Sequence, residues 1–151
     1  MDLLQPVLNG FAFVLHPGHF PFLFIGVAGG IVVGVLPGLT GSVGIILLLP
    51  FLFYVDSSTA LVMMCGMFCG SIYGGSISAI LISTPGTPSA AATVLDGYPM
   101  AQKGQAGRAI GVATIASAAG GIISTFCLMF IAPQLAGFAL QFGPEEYFAL
   151  M

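Results

Sequence analysis

Ser83-Thr84-Pro85-Gly86-Thr87-Pro88 is the stretch around which this chain is organised, and it directly follows the apolar run Ser78-Ala79-Ile80-Leu81-Ile82. Each proline lacks an N–H group and clashes with the carbonyl one turn earlier, so the pair cannot stay inside a regular helix. The preceding run carries no charge, which predicts a break at or near membrane depth. Irregular backbone is tolerated there only where protein buries it or where it lines a water-filled cavity. The stretch is therefore a candidate functional site, with an ordinary loop between two spans as the alternative.

Composition assigns the chain to membrane proteins. Hydrophobic residues make up 58% and charged residues 5% of the sequence, and the mean hydropathy is +1.10. Soluble domains carry about a quarter charged residues. Long unbroken apolar runs, rather than alternation, predict an all-α integral membrane protein, a polytopic helical bundle with broken helices in the lipid bilayer. No basic patch is present, so nucleic acid is excluded as a partner.

Residues 1–19 are predicted to form an interfacial N-terminal segment, ahead of a transmembrane domain over residues 20–151. The segment lacks the basic region and the small-residue cleavage site of a signal peptide. We expect an amphipathic helix in the membrane interface, left through the turn His16-Pro17-Gly18-His19. The two histidines are interpreted as polar anchors of that turn.

A second break divides the next apolar region into two arms, Phe20–Leu36 and Val43–Val55, separated by Pro37-Gly38-Leu39-Thr40-Gly41-Ser42. As one straight helix, residues 20–55 would extend about 54 Å at about 1.5 Å per residue. The hydrocarbon core is only about 30 Å thick. The chain must therefore turn at Pro37-Gly38, either as a re-entrant hairpin, which the short second arm favours, or as a loop between two full spans.

The later part of the chain predicts further helical elements and the turns that separate them. Asp56-Ser57-Ser58-Thr59 is a polar break with a good helix N-cap. The expected elements are a span over Ala60–Ile82, a half-helix over Ala90–Leu95, an interfacial turn at Asp96-Gly97-Tyr98-Pro99, and a final span over Ala109–Ile131 closed by Pro133.

The two cations of the sequence, Lys103 and Arg108, fall in one segment between spans. The positive-inside rule places this segment, Gln102–Arg108, in the cytoplasm. A new apolar run opens at Ala149-Leu150-Met151, after the break Phe142-Gly143-Pro144-Glu145-Glu146. The chain is therefore expected to be the truncated first portion of a longer protein.

Small residues recur every four positions in two helices. The first stripe is Gly26, Gly30, Gly34 and Gly38, and the second is Gly66, Gly70, Gly74 and Ser78. Stripes of this kind let helix backbones approach closely in lipid, and they predict tight packing. A sharper hypothesis is that the two striped helices pack on each other and bring the breaks at 37–42 and 83–88 together.

Enzyme chemistry has little support in the sequence. No zinc-protease, phosphate-loop or nucleophile-elbow motif is present. Cys65, Cys69 and Cys127 are expected to be packing residues rather than disulfide partners or metal ligands. An intramembrane hydrolase using Ser76 would need a base that the sequence does not show. In secondary transporters, by contrast, broken helices offer half-helix N-termini to anions and freed carbonyls to coupling ions.

Several motifs resemble a known family in their order and spacing. They are Gly34-Val35-Leu36-Pro37-Gly38-Leu39, Leu48-Leu49-Pro50, Tyr73-Gly74-Gly75-Ser76-Ile77-Ser78-Ala79-Ile80-Leu81, Pro85-Gly86-Thr87-Pro88 and Asp96-Gly97-Tyr98-Pro99-Met100-Ala101. From Phe20 onward, the chain resembles the large membrane subunit of the tripartite tricarboxylate transporters, the TctA family. Many relatives have Asn just before the Pro-Gly-Thr segment, where this chain has Ser83-Thr84.

The resemblance implies a subunit of a bacterial inner-membrane importer of di- or tricarboxylates, driven by a Na⁺ or H⁺ gradient. Its expected partners are a small membrane subunit and a periplasmic solute-binding protein, and its fold would have two related halves, of which this chain is the first. No cofactor is expected beyond the coupling ion. The alternative is a non-transporting membrane scaffold or an inactive truncated relative.

The predicted substrate site combines both breaks. Because no cation lies in an apolar segment, hydroxyls and freed backbone N–H groups must hold the carboxylate, helped by a helix that starts after Pro88. Thr87 and the Gly86 backbone are expected to contact it, and a coupling cation would sit near Gly38, Thr40, Ser83 and Thr84. The full predicted set is Pro37, Gly38, Leu39, Thr40, Gly41, Ser42, Ser83, Thr84, Pro85, Gly86, Thr87 and Pro88.

Overall fold

The computed structural model of the chain describes residues 4–139 and residue 143. Regular structure in this described part is helical throughout, without a strand, which confirms the predicted all-α class. The helices are α1 (Leu4–Leu15), α2 (Phe20–Val35), α3 (Gly41–Leu52), α4 (Ser57–Ile82), α5 (Ala91–Gln102) and α6 (Ala106–Ala139), and a 3₁₀ turn over Pro88–Ala90 precedes α5.

Two of the described helices, α4 and α6, are long and apolar enough to cross a membrane. A third span results if α1 and α2, which are bent by 82° at their junction, count as one. The predicted turn at His16–His19 is confirmed as this junction. The interfacial position predicted for residues 1–19 stays a prediction.

The ends of α4 and α5 follow from local chemistry. Asp56 caps α4, its carboxylate accepting the Thr59 N–H at 3.0 Å, which confirms the predicted N-cap. At the end of α5, Gly104 adopts a φ of +77°. Its N–H donates to Ala101 O at 2.9 Å while Gln105 N–H donates to Met100 O at 3.0 Å, the bond pattern of a Schellman motif.

The predicted turn at Asp96–Pro99 is wrong, because these residues lie inside α5. The half-helix expected over Ala90–Leu95 therefore continues to Gln102. Gly97 is buried against α4, where a β-carbon would come within 2.7 Å of Ile80 Cγ1. This contact holds the segment helical, and Pro99 removes a single N–H from the helix rather than ending it.

Two further boundaries differ from the prediction. Only residues 103–105 separate α5 from α6, so Arg108 lies in the first turn of α6 rather than in a loop. Pro133 does not close α6, which continues to Ala139. Helices in membranes tolerate an internal proline because neighbouring groups satisfy the freed carbonyl.

The chain divides into two compact units, with the boundary between Ala113 and Thr114. The first holds α1 to α5 and the start of α6, and the second, within the described residues, holds the α6 residues from Thr114 onward. Except for Gly143, the predicted break at Phe142–Glu146 and the apolar run at Ala149–Met151 lie outside the described residues.

Candidate functional site

The two glycine stripes face each other across the contact between α2 and α4. On α2, a β-carbon added at Gly26, Gly30 or Gly34 would meet the carbonyl oxygen of Met63, Met67 or Ser71, respectively, inside van der Waals distance. On α4, β-carbons added at Gly66, Gly70 and Gly74 would meet the carbonyl oxygens of Leu23, Val27 and Ile31. Both series rise together in number, so the helices run parallel with their backbones in contact, as small-residue stripes permit.

Helix α3 returns antiparallel along α4. A β-carbon at Gly41 would meet the Ser71 hydroxyl, and one at Gly44 would lie 3.0 Å from the sulfur of Met67. The tip between α2 and α3 therefore lies alongside Ser71 to Gly75. Since α4 continues to Ile82, seven residues beyond Gly75, the tip stops about 10 Å short of the end of α4.

Ser83 ends α4 and turns the chain back towards the tip of α2. It adopts a left-handed conformation with φ 58° and ψ 18°, a position that most side chains avoid. The chain then returns so that Gly86 N–H donates to Gly75 O over 3.4 Å. A β-carbon at Gly86 would collide with the Gly34 carbonyl oxygen, so only a residue without a side chain fits at this position.

Gly34, Gly75 and Gly86 thus mark the meeting point of segment 83–88 with the last turn of α2 and with α4. Thr87 is buried beside them, and a β-carbon at Gly75 would lie 2.6 Å from its hydroxyl oxygen. The Thr87 hydroxyl pairs with the Ser89 hydroxyl at 3.1 Å. The meeting point combines the buried Thr87 hydroxyl with the start of the helical segment after Pro88, where the Ala90 N–H donates to Thr87 O at 3.0 Å.

Other predicted site residues lie away from this meeting point. Ser83 and Thr84 are exposed, and the Thr84 hydroxyl donates to Ile82 O at 3.2 Å. Gly38 adopts a φ of +91° at the tip and is exposed, with no described atom within 4 Å of a β-carbon. The remaining predicted residues divide into the exposed Pro37, Ser42 and Pro88, the half-buried Leu39, Thr40 and Pro85, and the buried Gly41. A cavity shared by both breaks stays a prediction.

Five residues at the meeting point were not predicted as substrate-site residues, namely Gly34, Ser71, Gly75, Ser78 and Ser89. Ser71 and Ser78 are buried on α4 and donate to Phe68 O at 2.8 Å and Gly75 O at 3.1 Å. Gly75 lies next to the stripe, and the doubled glycine Gly74-Gly75 was the available signal. Only the tertiary structure shows that the Gly86 N–H donates to the Gly75 carbonyl oxygen.

A second polar cluster lies at the other end of α4. His19 Nδ1 and Thr59 Oγ1 are 2.7 Å apart, and the Thr59 hydroxyl donates to Asp56 Oδ1 at 2.7 Å. The hydrogen bonds that Thr59 donates through its hydroxyl and its N–H lower the pKa of the Asp56 carboxyl below its usual value. His19 was predicted only as an anchor of its own turn, so this tie to a helix forty residues later was missed.

The other residues considered for catalysis or metal binding are Ser76 and the three cysteines, and none of them forms a site among the described residues. The Ser76 hydroxyl donates to Ile72 O at 3.4 Å, within its own helix, and no described contact gives it a base. All three cysteines are free and exposed, which corrects the expectation that they pack in the core. Within residues 4–139, no group of three or more His, Cys, Asp or Glu side chains is placed to hold a metal ion.

Comparison with known proteins adds sequence relationships. The family model described as the tripartite tricarboxylate transporter TctA family matches residues 20–151. An uncharacterized 52.8 kDa protein in the TAR-I ttuC' 3' region of Agrobacterium vitis is 45% identical over all 151 residues. The chain spans 30% of the length of that relative. No solved structure matches the chain.

Proposed function

This chain belongs to the tripartite tricarboxylate transporter TctA family, and from that premise we propose that it forms part of the membrane subunit of a carboxylate importer. The membership makes it part of a membrane transport protein. Uptake of di- or tricarboxylates in the bacterial inner membrane, coupling to Na⁺ or H⁺, and work with a small membrane subunit and a periplasmic binding protein are proposed for the whole protein. A related second half is proposed as well.

The observation that supports this proposal is the return of segment 83–88, through Gly86, to Gly34 near the end of α2 and to Gly75 of α4. Helix α2 has 16 residues and α3 has 12, giving about 24 Å and about 18 Å. Neither length reaches the hydrocarbon thickness of about 30 Å. We therefore propose that residues 20–55 form a re-entrant hairpin whose tip stays within the membrane, beside the folded-back segment 83–88.

The substrate carboxylate is proposed to bind at this meeting point. Thr87 offers a buried hydroxyl, paired with Ser89, and the helical segment after Pro88 offers its positive end. The Gly86 N–H is held by a long bond of 3.4 Å to Gly75 O, which a stronger acceptor would displace. Carbonyls at the ends of α2 and α4 are proposed to hold the coupling cation.

The orientation follows from the two cations. One cavity of about 180 Å³ is lined by Ile80 of α4, Asp96 and Met100 of α5, and Ala109 of α6, so the Lys103–Gln105 connection lies towards the C-terminal end of α4. The positive-inside rule assigns that end to the cytoplasm. His19 and Asp56, at the opposite end of α4, would then face the periplasm.

Uptake by the full-length protein with its binding protein tests this proposal, using labelled di- and tricarboxylates. Thr87→Val removes the hydroxyl and should weaken uptake by the worth of a hydrogen bond to a charged group, about 1.5–3 kcal/mol, or roughly tenfold to a hundredfold. Gly86→Val should abolish uptake, because its side chain collides with the Gly34 carbonyl.

Two matched variants control this experiment. Thr87→Ser keeps the hydroxyl and should transport nearly like the wild type. Ser57→Ala alters an exposed residue in the first turn of α4, far from the meeting point, and should have no effect. If Thr87→Val inserts normally and transports like Thr87→Ser, the carboxylate does not bind at this break.

A further inference from the structure

The cluster at His19 has a defined proton arrangement. The Thr59 side chain is 2% exposed, and its hydroxyl carries a single proton, which it donates to Asp56 Oδ1. The contact of 2.7 Å with His19 Nδ1 therefore needs the histidine as donor. The ring must carry its proton on Nδ1, which leaves Nε2 as the basic nitrogen. Within the described residues no hydrogen bond occupies Nε2.

A carboxylate and an aromatic face lie beside the His19 ring. Asp56, joined to it through the Thr59 hydroxyl, supplies a negative charge from the start of α4. Phe13 of α1 stacks on the ring with centroids 4.0 Å apart and an interplanar angle of 22°, and an aromatic face attracts a cation. The sequence has one lysine and one arginine, Lys103 and Arg108. Both lie after α5, so neither belongs to this cluster.

Among the described residues, the other titratable group facing His19 is His16, on the same turn. The ring centroids are 5.8 Å apart. His16 Nδ1 accepts the Gly18 N–H at 3.2 Å, so that nitrogen is used as an acceptor within the turn. The two histidines consequently have different roles: His16 stabilises the turn, while His19 is tied through Thr59 to Asp56.

We propose that His19 is a proton-binding site that takes up a proton on Nε2, with Asp56 as its counter-charge through the Thr59 hydroxyl. The bound proton comes from the solvent, and the ring becomes an imidazolium that donates from both nitrogens. The neutral hydrogen bond to Thr59 then becomes charge-assisted and stronger. Protonation thereby tightens the tie that joins α1 and α2 to the start of α4.

Histidine nitrogen NMR on the full-length protein, labelled with ¹⁵N in the imidazole rings, tests the site directly. The His19 signals are identified by their loss in His19→Gln. At the alkaline end of a pH 8 to pH 5 titration, we expect the Nδ1–H tautomer, and proton uptake should follow as pH falls. An Nε2–H tautomer, or a ring that stays neutral down to pH 5, would overturn the proposal.

Two variants test whether Asp56 acts on His19 through the Thr59 hydroxyl, an arrangement we call the relay, or whether any change in the turn has the same effect. Thr59→Val keeps the branched shape but removes the hydroxyl, so His19 should lose its preference for the Nδ1–H tautomer and take up its proton at a lower pH. His16→Gln should leave the His19 tautomer unchanged. An unchanged His19 titration in Thr59→Val would show that Asp56 does not act through Thr59 and would refute the relay.

The consequence for transport rests on the proposed function and is measured separately. Uptake between pH 5 and pH 8 should vary with pH in the wild type beyond what His19→Gln shows. The NMR result stands whether or not the protein transports carboxylates. A correct tautomer and titration with an identical pH profile in His19→Gln would retain the proton site and refute its role in uptake.

Discussion

Replacing Gly30 with alanine probes the backbone contact between α2 and α4 by adding a single methyl group. The added β-carbon would collide with the carbonyl oxygen of Met67, and it would also lie 2.9 Å from the Ser71 nitrogen. Both obstacles are backbone atoms of a helix, so no side-chain rotation can relieve the collision. The helices must move apart by roughly 1 Å to restore ordinary contact.

The expected loss of stability follows from two opposing effects. Alanine in a helix interior is favoured over glycine by about 1 kcal/mol. Overpacking costs about 1–3 kcal/mol, and the upper end applies because the separation also loosens the contacts at Gly26, Gly34, Gly70 and Gly74. We expect Gly30→Ala to destabilise the protein by about 2 kcal/mol.

Gly10→Ala is the matched control. Gly10 lies in the middle of α1, and a β-carbon there meets no described atom within 4 Å. This variant makes the same chemical change without the collision and should stabilise the folded protein by up to about 1 kcal/mol. The two variants should therefore shift stability in opposite directions.

The measurement is unfolding of the full-length protein from detergent micelles by titration with SDS, followed by circular dichroism. Gly30→Ala should unfold at a lower SDS mole fraction than the wild type, and Gly10→Ala at the same or a higher one. A Gly30→Ala variant as stable as Gly10→Ala would refute the close contact of the two helices.

Two further predictions concern the ends of α4 and α5. Ser83→Gly should raise stability in the same SDS titration by about 0.5–1 kcal/mol, because glycine adopts the left-handed conformation of Ser83 without a β-carbon clash; a lower unfolding point would contradict that conformation. Gln105→Cys, in a variant whose native cysteines have been replaced by alanine, should react with a membrane-impermeant maleimide only when the reagent reaches the cytoplasmic face. Labelling from the periplasmic face alone would reverse the proposed orientation.

Local sequence chemistry predicted several helix ends correctly. The bend at Pro37-Gly38, the cap at Asp56 and the end of α4 before the proline pair all depend on the geometry of a few neighbouring residues. Where prediction was wrong, a distant contact or a tolerated proline outweighed the local preference. Asp96–Pro99 has the composition of a turn, yet Gly97 packs against Ile80, seventeen residues earlier, and the segment stays helical.

The candidate site was less accessible to prediction. The sequence pointed to two breaks rich in glycine and hydroxyl groups, but Ser83 and Thr84 proved to be exposed, whereas Gly86 packs against Gly34 and Gly75. The tie between His19 and Thr59 had no local signal at all. A hydrogen bond across forty residues leaves no periodic pattern in the chain.

Composition and spacing by themselves determined that the chain is a helical membrane protein and which residues form its small-residue stripes, because apolar length and the i, i+4 repeat are properties of the chain itself. Only the tertiary structure decided which stripes pair, that α2 runs parallel to α4, and that segment 83–88 folds back to Gly34 and Gly75. A stripe of small residues permits close approach, but it does not specify which helix will pack against it. That choice depends on carbonyls and glycines of two helices meeting in register, which becomes defined only when the backbones touch.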